Sequence, residues 1–157
     1  MGFIIYLYKL KPINLTRVPS SIFGHRLRVV ALIDPILGRS AAVLGKKRTS
    51  LAEPAYAQAM TYGSLLEFSE HMTPDQPPRL IVVGCPAEFR GSDEPGRDLE
   101  LQLLKLFPGV PLFIEKPIAA GEIPRAFRVA EAIEQSKVLC SVGSVGPQLL
   151  AWVLMDS

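Results

Sequence analysis

Four short runs of apolar residues constrain this chain most: RVVALI (28–33), RLIVVG (79–84), VPLFI (110–114) and VLCSV (138–142). None alternates polar with apolar positions, so each reads as a strand covered on both faces, the pattern of a parallel sheet rather than of a half-solvated antiparallel one. The segments between them carry helical spacing. Leu37, Ala41 and Leu44 fall at i, i+4, i+7, as do Leu99, Leu103 and Leu106, and Ile123, Phe127, Ala130 and Ile133 continue the same rhythm. Asp98 is placed to cap the second helix, and Pro124 suits the first turn of the third. Strands alternating with helices predict right-handed crossovers and a doubly wound α/β sheet. TYGSLLEF (61–68) is expected to add one helical turn, and 69–78 and 86–97, rich in Pro, Gly and acids, to be exposed connections.

A chain of 157 residues holds one domain with a real core. Apolar residues make up 48% and charged ones 20%, a globular composition, and 17 basic against 15 acidic residues leave no nucleic-acid footprint. Only two histidines occur, His25 and His71, with no second ligand at metal spacing, so no metal site is expected. Cys85 and Cys140 lie in or beside apolar runs and read first as small buried hydrophobes. The first 33 residues lack Asp and Glu but hold five Lys and Arg, the bias of an organelle leader, yet no signal peptide stands out and cytoplasm is the expected location. The run Phe3 to Tyr8 is too short to span a bilayer.

In a doubly wound sheet, ligands sit beyond the carboxyl ends of the strands. That directs attention to the residues after Ile33, Gly84, Ile114 and Val142. Asp34 ends the first run, where an acid either accepts hydrogen bonds from ribose hydroxyls or simply caps the next turn before Pro35. Arg39 and Arg48 follow, and a guanidinium there could accommodate a 2′-phosphate, so NAD and NADP both stay open. Gly84, Cys85 and Pro86 would let a flat ring or a ribose approach the backbone, or would merely turn the chain. Glu115 and Lys116 end an internal strand; a lysine there can exchange a proton with a substrate hydroxyl when burial or a neighbouring cation lowers its pKa, or can be one half of a surface ion pair.

FIEKPI followed by AFRVAEAIEQSKVLCSVG resembles the Gfo/Idh/MocA family of NAD(P)-dependent oxidoreductases, whose amino-terminal Rossmann domain carries Glu-Lys-Pro at this place. VVALIDP is similar to that family's second strand, TYGSLLEF to its Tyr-Ser-Leu-Glu-Glu-Phe type segment, and IVVGCP to its fourth strand. The resemblance runs from about Arg28 to Gly143. It implies hydride transfer between a nicotinamide and a sugar, polyol or related hydroxyl compound. Lys116 would be the catalytic or substrate-hydroxyl-binding lysine, Asp34 the ribose contact, and Cys85, Pro86 and Glu115, with Lys116, part of the nicotinamide-side wall. The implied partners are a small-molecule hydroxyl substrate and either a second copy or a partner chain, with no nucleic acid and no membrane.

Three departures accompany the resemblance. Only Gly2 and Gly24 precede Asp34, so the family's Gly-rich pyrophosphate turn is missing, and the turn after a first strand at 3–8 would read KLKPIN. After Pro86 the family commonly has Asn and His, whereas this chain has Ala87, Glu88, Phe89 and Arg90. Beyond Gly143 the sequence SVGPQLLAWVLMDS does not resemble the start of the family's second domain. The expected organisation is an atypical segment at 1–27, a Rossmann-like nucleotide-binding domain at 28–146, incomplete at its first strand and lacking the family's second domain, and a divergent tail at 147–157. A non-catalytic nucleotide-binding or regulatory module, or a truncated inactive fragment, is the alternative to an oxidoreductase domain.

Overall fold

The computed structural model describes residues 2–7, 27–73 and 77–143. Six strands form one sheet in the order β3-β2-β1-β4-β5-β6, all pairs parallel. They are β1 (Gly2–Leu7), β2 (Leu27–Ile33), β3 (Met60–Tyr62), β4 (Leu80–Val83), β5 (Leu112–Glu115) and β6 (Cys140–Gly143). The four apolar runs are β2, β4, β5 and β6. The first-strand position, left open by the sequence, is filled by Gly2–Leu7, which lies between β2 and β4. The turn following it, and the tail from residue 144 on, lie outside the described residues.

The helices are α1 (Leu37–Arg48), α2 (Glu53–Tyr56), α3 (Leu65–His71), α4 (Leu99–Leu106) and α5 (Ile123–Ser136). Because both sheet faces are apolar, two cores result. One holds Val29, Leu32, Leu80, Val82 and Phe113 under Leu44 of α1 and Tyr56 of α2. The other holds Ala31, Ile33, Ile81, Val83, Leu112 and Ile114 under Leu65 and Phe68 of α3 and Leu103 of α4. Strand periodicity of two accounts for the β4 partition, Leu80 and Val82 to one side, Ile81 and Val83 to the other. In β2 the register with β1 slips by one residue, Ile4 pairing with Val29 and Ile5 with Ala31. Such a bulge puts Val29 and Leu32, three apart, on the same face.

Several expectations need correcting. TYGSLLEF is not one turn but β3 followed by the two-turn α3, whose Ser64 hydroxyl accepts the Glu67 N–H at 3.1 Å while the Glu67 carboxylate accepts the Gly63 N–H at 2.6 Å. In α1 the buried residues are Ser40 and Leu44, and Leu37 is exposed. In α5 the buried residue is Val129, and Ile123 and Phe127 face outward. Asp98 occupies the N-cap position of α4, but its carboxylate accepts the Gly96 N–H and the Gln102 side-chain amide instead of capping the helix. The 86–97 connection is not simply exposed: Ala87, Arg90 and Ser92 are buried within it. Among the described residues no helix is long and apolar enough to cross a membrane, and no group of three or more His, Cys, Asp and Glu could hold a metal ion.

Candidate functional site

Parallel strands bring all their carboxyl ends to one edge of the sheet, so the candidate residues Asp34, Cys85, Pro86, Glu115 and Lys116 share that edge although they lie far apart in sequence. A cavity of about 430 Å³ opens there, bounded by Ile33, Asp34 and Ile36 after β2, Gly63 and Ser64 after β3, Cys85, Pro86 and Phe89 after β4, and Arg39 of α1. Its walls are mainly apolar side chains around one carboxylate, the usual make-up of a small-molecule cleft.

Asp34 is 1% exposed. Its Oδ1 accepts the Ile36 N–H at 2.7 Å, and its own N–H donates to Tyr62 O at 3.0 Å, which fixes the strand-to-helix turn. The turn-capping reading of this residue is thus seen directly, while Oδ2 is buried and has no hydrogen-bond partner among the described residues. An orphaned buried carboxylate oxygen costs on the order of 1–3 kcal/mol or more, and a ribose hydroxyl donor would satisfy it. The two arginines part company. Arg39 lines the cavity, whereas Arg48 is spent at the far end of α1 on the carbonyls of Tyr56, Ala57 and Ala59, at 3.4, 3.1 and 2.8 Å. Arg48 is thus a structural tie and drops out as a phosphate ligand.

Glu115 and Lys116 do not line this cavity. They stand at the end of β5, where the Lys116 N–H donates to Gly143 O of β6 at 3.3 Å and the peptide between Lys116 and Pro117 is cis. The burial considered for Lys116 is absent, and its side chain is exposed. Partial burial raises the Glu115 pKa, opposed by the nearby Arg90 charge. Cys85 is a free thiol whose pKa burial pushes up to about 11, against the pull of Arg90, so it is a neutral wall rather than a nucleophile.

The residue that sequence reasoning missed is Arg90. Only 1% exposed, its guanidinium donates from Nε to Cys85 O at 2.7 Å and from Nη1 to Ile118 O at 3.3 Å. Nη2 donates to Pro117 O at 2.8 Å and also to Glu115 O. Glu100, 2% exposed, faces it at 3.6 Å and accepts the Gly91 N–H at 2.8 Å. Burial raises the Glu100 pKa, while the Gly91 N–H and Arg90 pull it down. Removing one member of such a buried pair typically costs about 3–5 kcal/mol. The available signal was an arginine shortly after a strand-end Pro, followed by Gly91, but its partners run from Cys85 to Ile118 and only the fold assembles them.

The oxidoreductase family described by its NAD-binding Rossmann fold, Gfo/Idh/MocA, matches residues 15–144. The chain belongs to this family. The Schizosaccharomyces pombe protein C12C2.04 is 35% identical over 134 residues, which cover 84% of this chain and 35% of that one. A myo-inositol dehydrogenase from Corynebacterium glutamicum superposes with a TM-score of 0.60 at 20% identity, over 91% of this chain and 36% of the other. The WlbA dehydrogenase from Bordetella pertussis, solved with NADH and UDP-GlcNAcA, gives 0.58 at 15% identity over 90% of this chain and 35% of that one. At those identities the two structures speak for the fold. The chain spans about a third of the length of the curated relatives it matches. The Gfo/Idh/MocA match agrees with the parallel sheet order.

Proposed function

We propose that this chain is the cofactor-binding part of an oxidoreductase that moves a hydride between a nicotinamide and a carbon bearing a hydroxyl, in a sugar, a polyol or a related compound. The observation that carries the reading is Asp34 Oδ2, buried without a hydrogen-bond partner among the described residues, on the wall of a cavity at the carboxyl ends of β2, β3 and β4. The residues present fit an adenosine ribose: a buried acceptor, a mainly apolar wall and a Gly at position 63. A carboxylate there also repels a 2′-phosphate, which favours NAD over NADP.

The bound cofactor would supply the hydride acceptor, and the chain's residues would handle binding and the proton. Asp34 would hold the ribose; Cys85, Pro86 and Glu115 would wall the nicotinamide side. The Lys116 amine would take the hydroxyl proton as the carbinol C–H leaves with its electron pair, and would return it in reduction, assistance worth ~10²–10⁴ in rate. Since Lys116 is exposed, the reading includes a substrate pocket completed by a further domain, a second copy or a partner chain.

The test is NADH-linked turnover across a sugar and polyol panel, for the unaltered protein and for Lys116→Ala. Turnover that falls at least ~10²-fold in the variant, with NADH affinity kept, is the expected result. Undiminished turnover in the variant removes Lys116 from the chemistry. Cofactor binding without turnover on any substrate favours a non-catalytic nucleotide-binding module.

A further inference from the structure

We propose that Arg90 is the positioning residue that sets Lys116 and its neighbours against the nicotinamide half of the cofactor, an inference that rests on the reading above. A guanidinium offers five N–H donors in a rigid planar fork and stays charged at every working pH. Here the fork joins two adjacent strand ends. From the β4 side it takes the carbonyl of Cys85; from the β5 side it takes those of Glu115, Pro117 and Ile118. These last three bracket Lys116 on both sides, so its backbone is fixed while its side chain stays exposed.

The surroundings are built for this single arrangement. Gly91 has φ +71°, and a Cβ there would stand 2.2 Å from Ile118 O and 2.7 Å from Ala119 Cβ, so the Ile118–Ala119 backbone lies directly on it. Glu100, from α4, holds the Gly91 N–H and faces the guanidinium, which ties the strand ends to the helix behind them. The cavity holding Asp34 is lined by Cys85, which Arg90 holds through its carbonyl, but not by Arg90, Glu100, Glu115 or Lys116, and β1 separates the β2 end that carries Asp34 from the β4 end that carries Cys85. Damage to the clamp should therefore weaken the nicotinamide half of binding more than the adenosine half.

Arg90→Lys replaces the fork with one ammonium that cannot reach both strand ends, and Glu100→Gln keeps an acceptor for Gly91 while removing the facing charge. The experiment uses the full chain, measuring hydrogen exchange of the unliganded protein and calorimetric affinity for NADH and for ADP-ribose, which lacks the nicotinamide. In Arg90→Lys, exchange across 115–121 should rise roughly tenfold or more with β2 and α1 unchanged, as expected of a local opening. NADH affinity should fall roughly tenfold toward that of ADP-ribose, whose own affinity should fall by much less, a split that general destabilisation does not produce. Glu100→Gln should shift both quantities in the same direction by less, and it carries both comparisons should Arg90→Lys fail to fold. Unchanged exchange at 115–121, or equal weakening of both ligands, overturns the proposal. If the unaltered chain binds neither ligand, the NAD-binding reading fails, and the exchange comparison still decides whether Arg90 holds the segment.

Discussion

At the scale of single residues, the chemistry turns on groups whose partners are incomplete or unusual. Asp34 keeps one oxygen for its own turn and leaves the other buried and unsatisfied among the described residues, which is why it is proposed as a ligand contact. Gly91 is the opposite case, a position where nothing but hydrogen fits. Gly91→Ala would force an unfavourable positive φ and drive a methyl into Ile118 O, so a loss of about 2–4 kcal/mol is expected, read as a lower urea midpoint. Gly38 and Gly45, where an added methyl would meet nothing within 4 Å among the described residues, serve as controls on α1, and alanine there should stabilise by about 0.5–1 kcal/mol. A Gly91→Ala protein as stable as those controls would mean that the Ile118 backbone does not press on this site.

At the scale of elements, the connection between β4 and α4 is riveted to α5. Asp93 accepts from Arg125 at 3.0 Å and from Arg128 at 2.5 Å, and these hydrogen bonds, Arg128 foremost, lower its pKa to about 2. A depressed carboxylate pKa gives a contribution that is complete above the unfolded value near 3.8 and is lost as pH falls through about 2. Asp93→Asn should therefore destabilise the protein modestly at pH 7, with the difference from the unaltered chain closing between about pH 4 and pH 2. A difference that persists at pH 2 would assign the effect to packing.

Legibility followed the same division. β2, β4, β5 and β6 were readable because continuous apolar runs report burial on both faces, and α1, α4 and α5 because helical spacing is local. β3 escaped because three residues carry no period. The faces of α1 and α5 were misread because sheet position, not the apolar count, decides which stripe is covered, as Ser40 and exposed Phe127 show. The strand-end places of Asp34 and Lys116 could be read from the apolar runs before them. Arg90 could not, because its carbonyl partners come together only when β4 and β5 pair.

At the scale of the whole molecule, the order β3-β2-β1-β4-β5-β6 gathers Asp34, Cys85, Pro86, Glu115 and Lys116 at one edge, and the Gfo/Idh/MocA match over residues 15–144 agrees with that architecture. Ile118, Ile123, Phe127 and Val142, all exposed, leave apolar surface in and after the segment that carries Lys116. Asp34 and its cavity are proposed to bind an NAD-type cofactor. Calorimetric titration of NADH and NADPH into the unaltered chain and into Asp34→Ala tests this proposal most directly. NADH should bind with Kd below about 1 mM and NADPH roughly tenfold more weakly, and Asp34→Ala should lose roughly tenfold or more in NADH affinity, in keeping with a charged hydrogen bond worth about 1.5–3 kcal/mol. No heat of binding from either nucleotide, or equal NADH affinity with and without the Asp34 carboxylate, would contradict it.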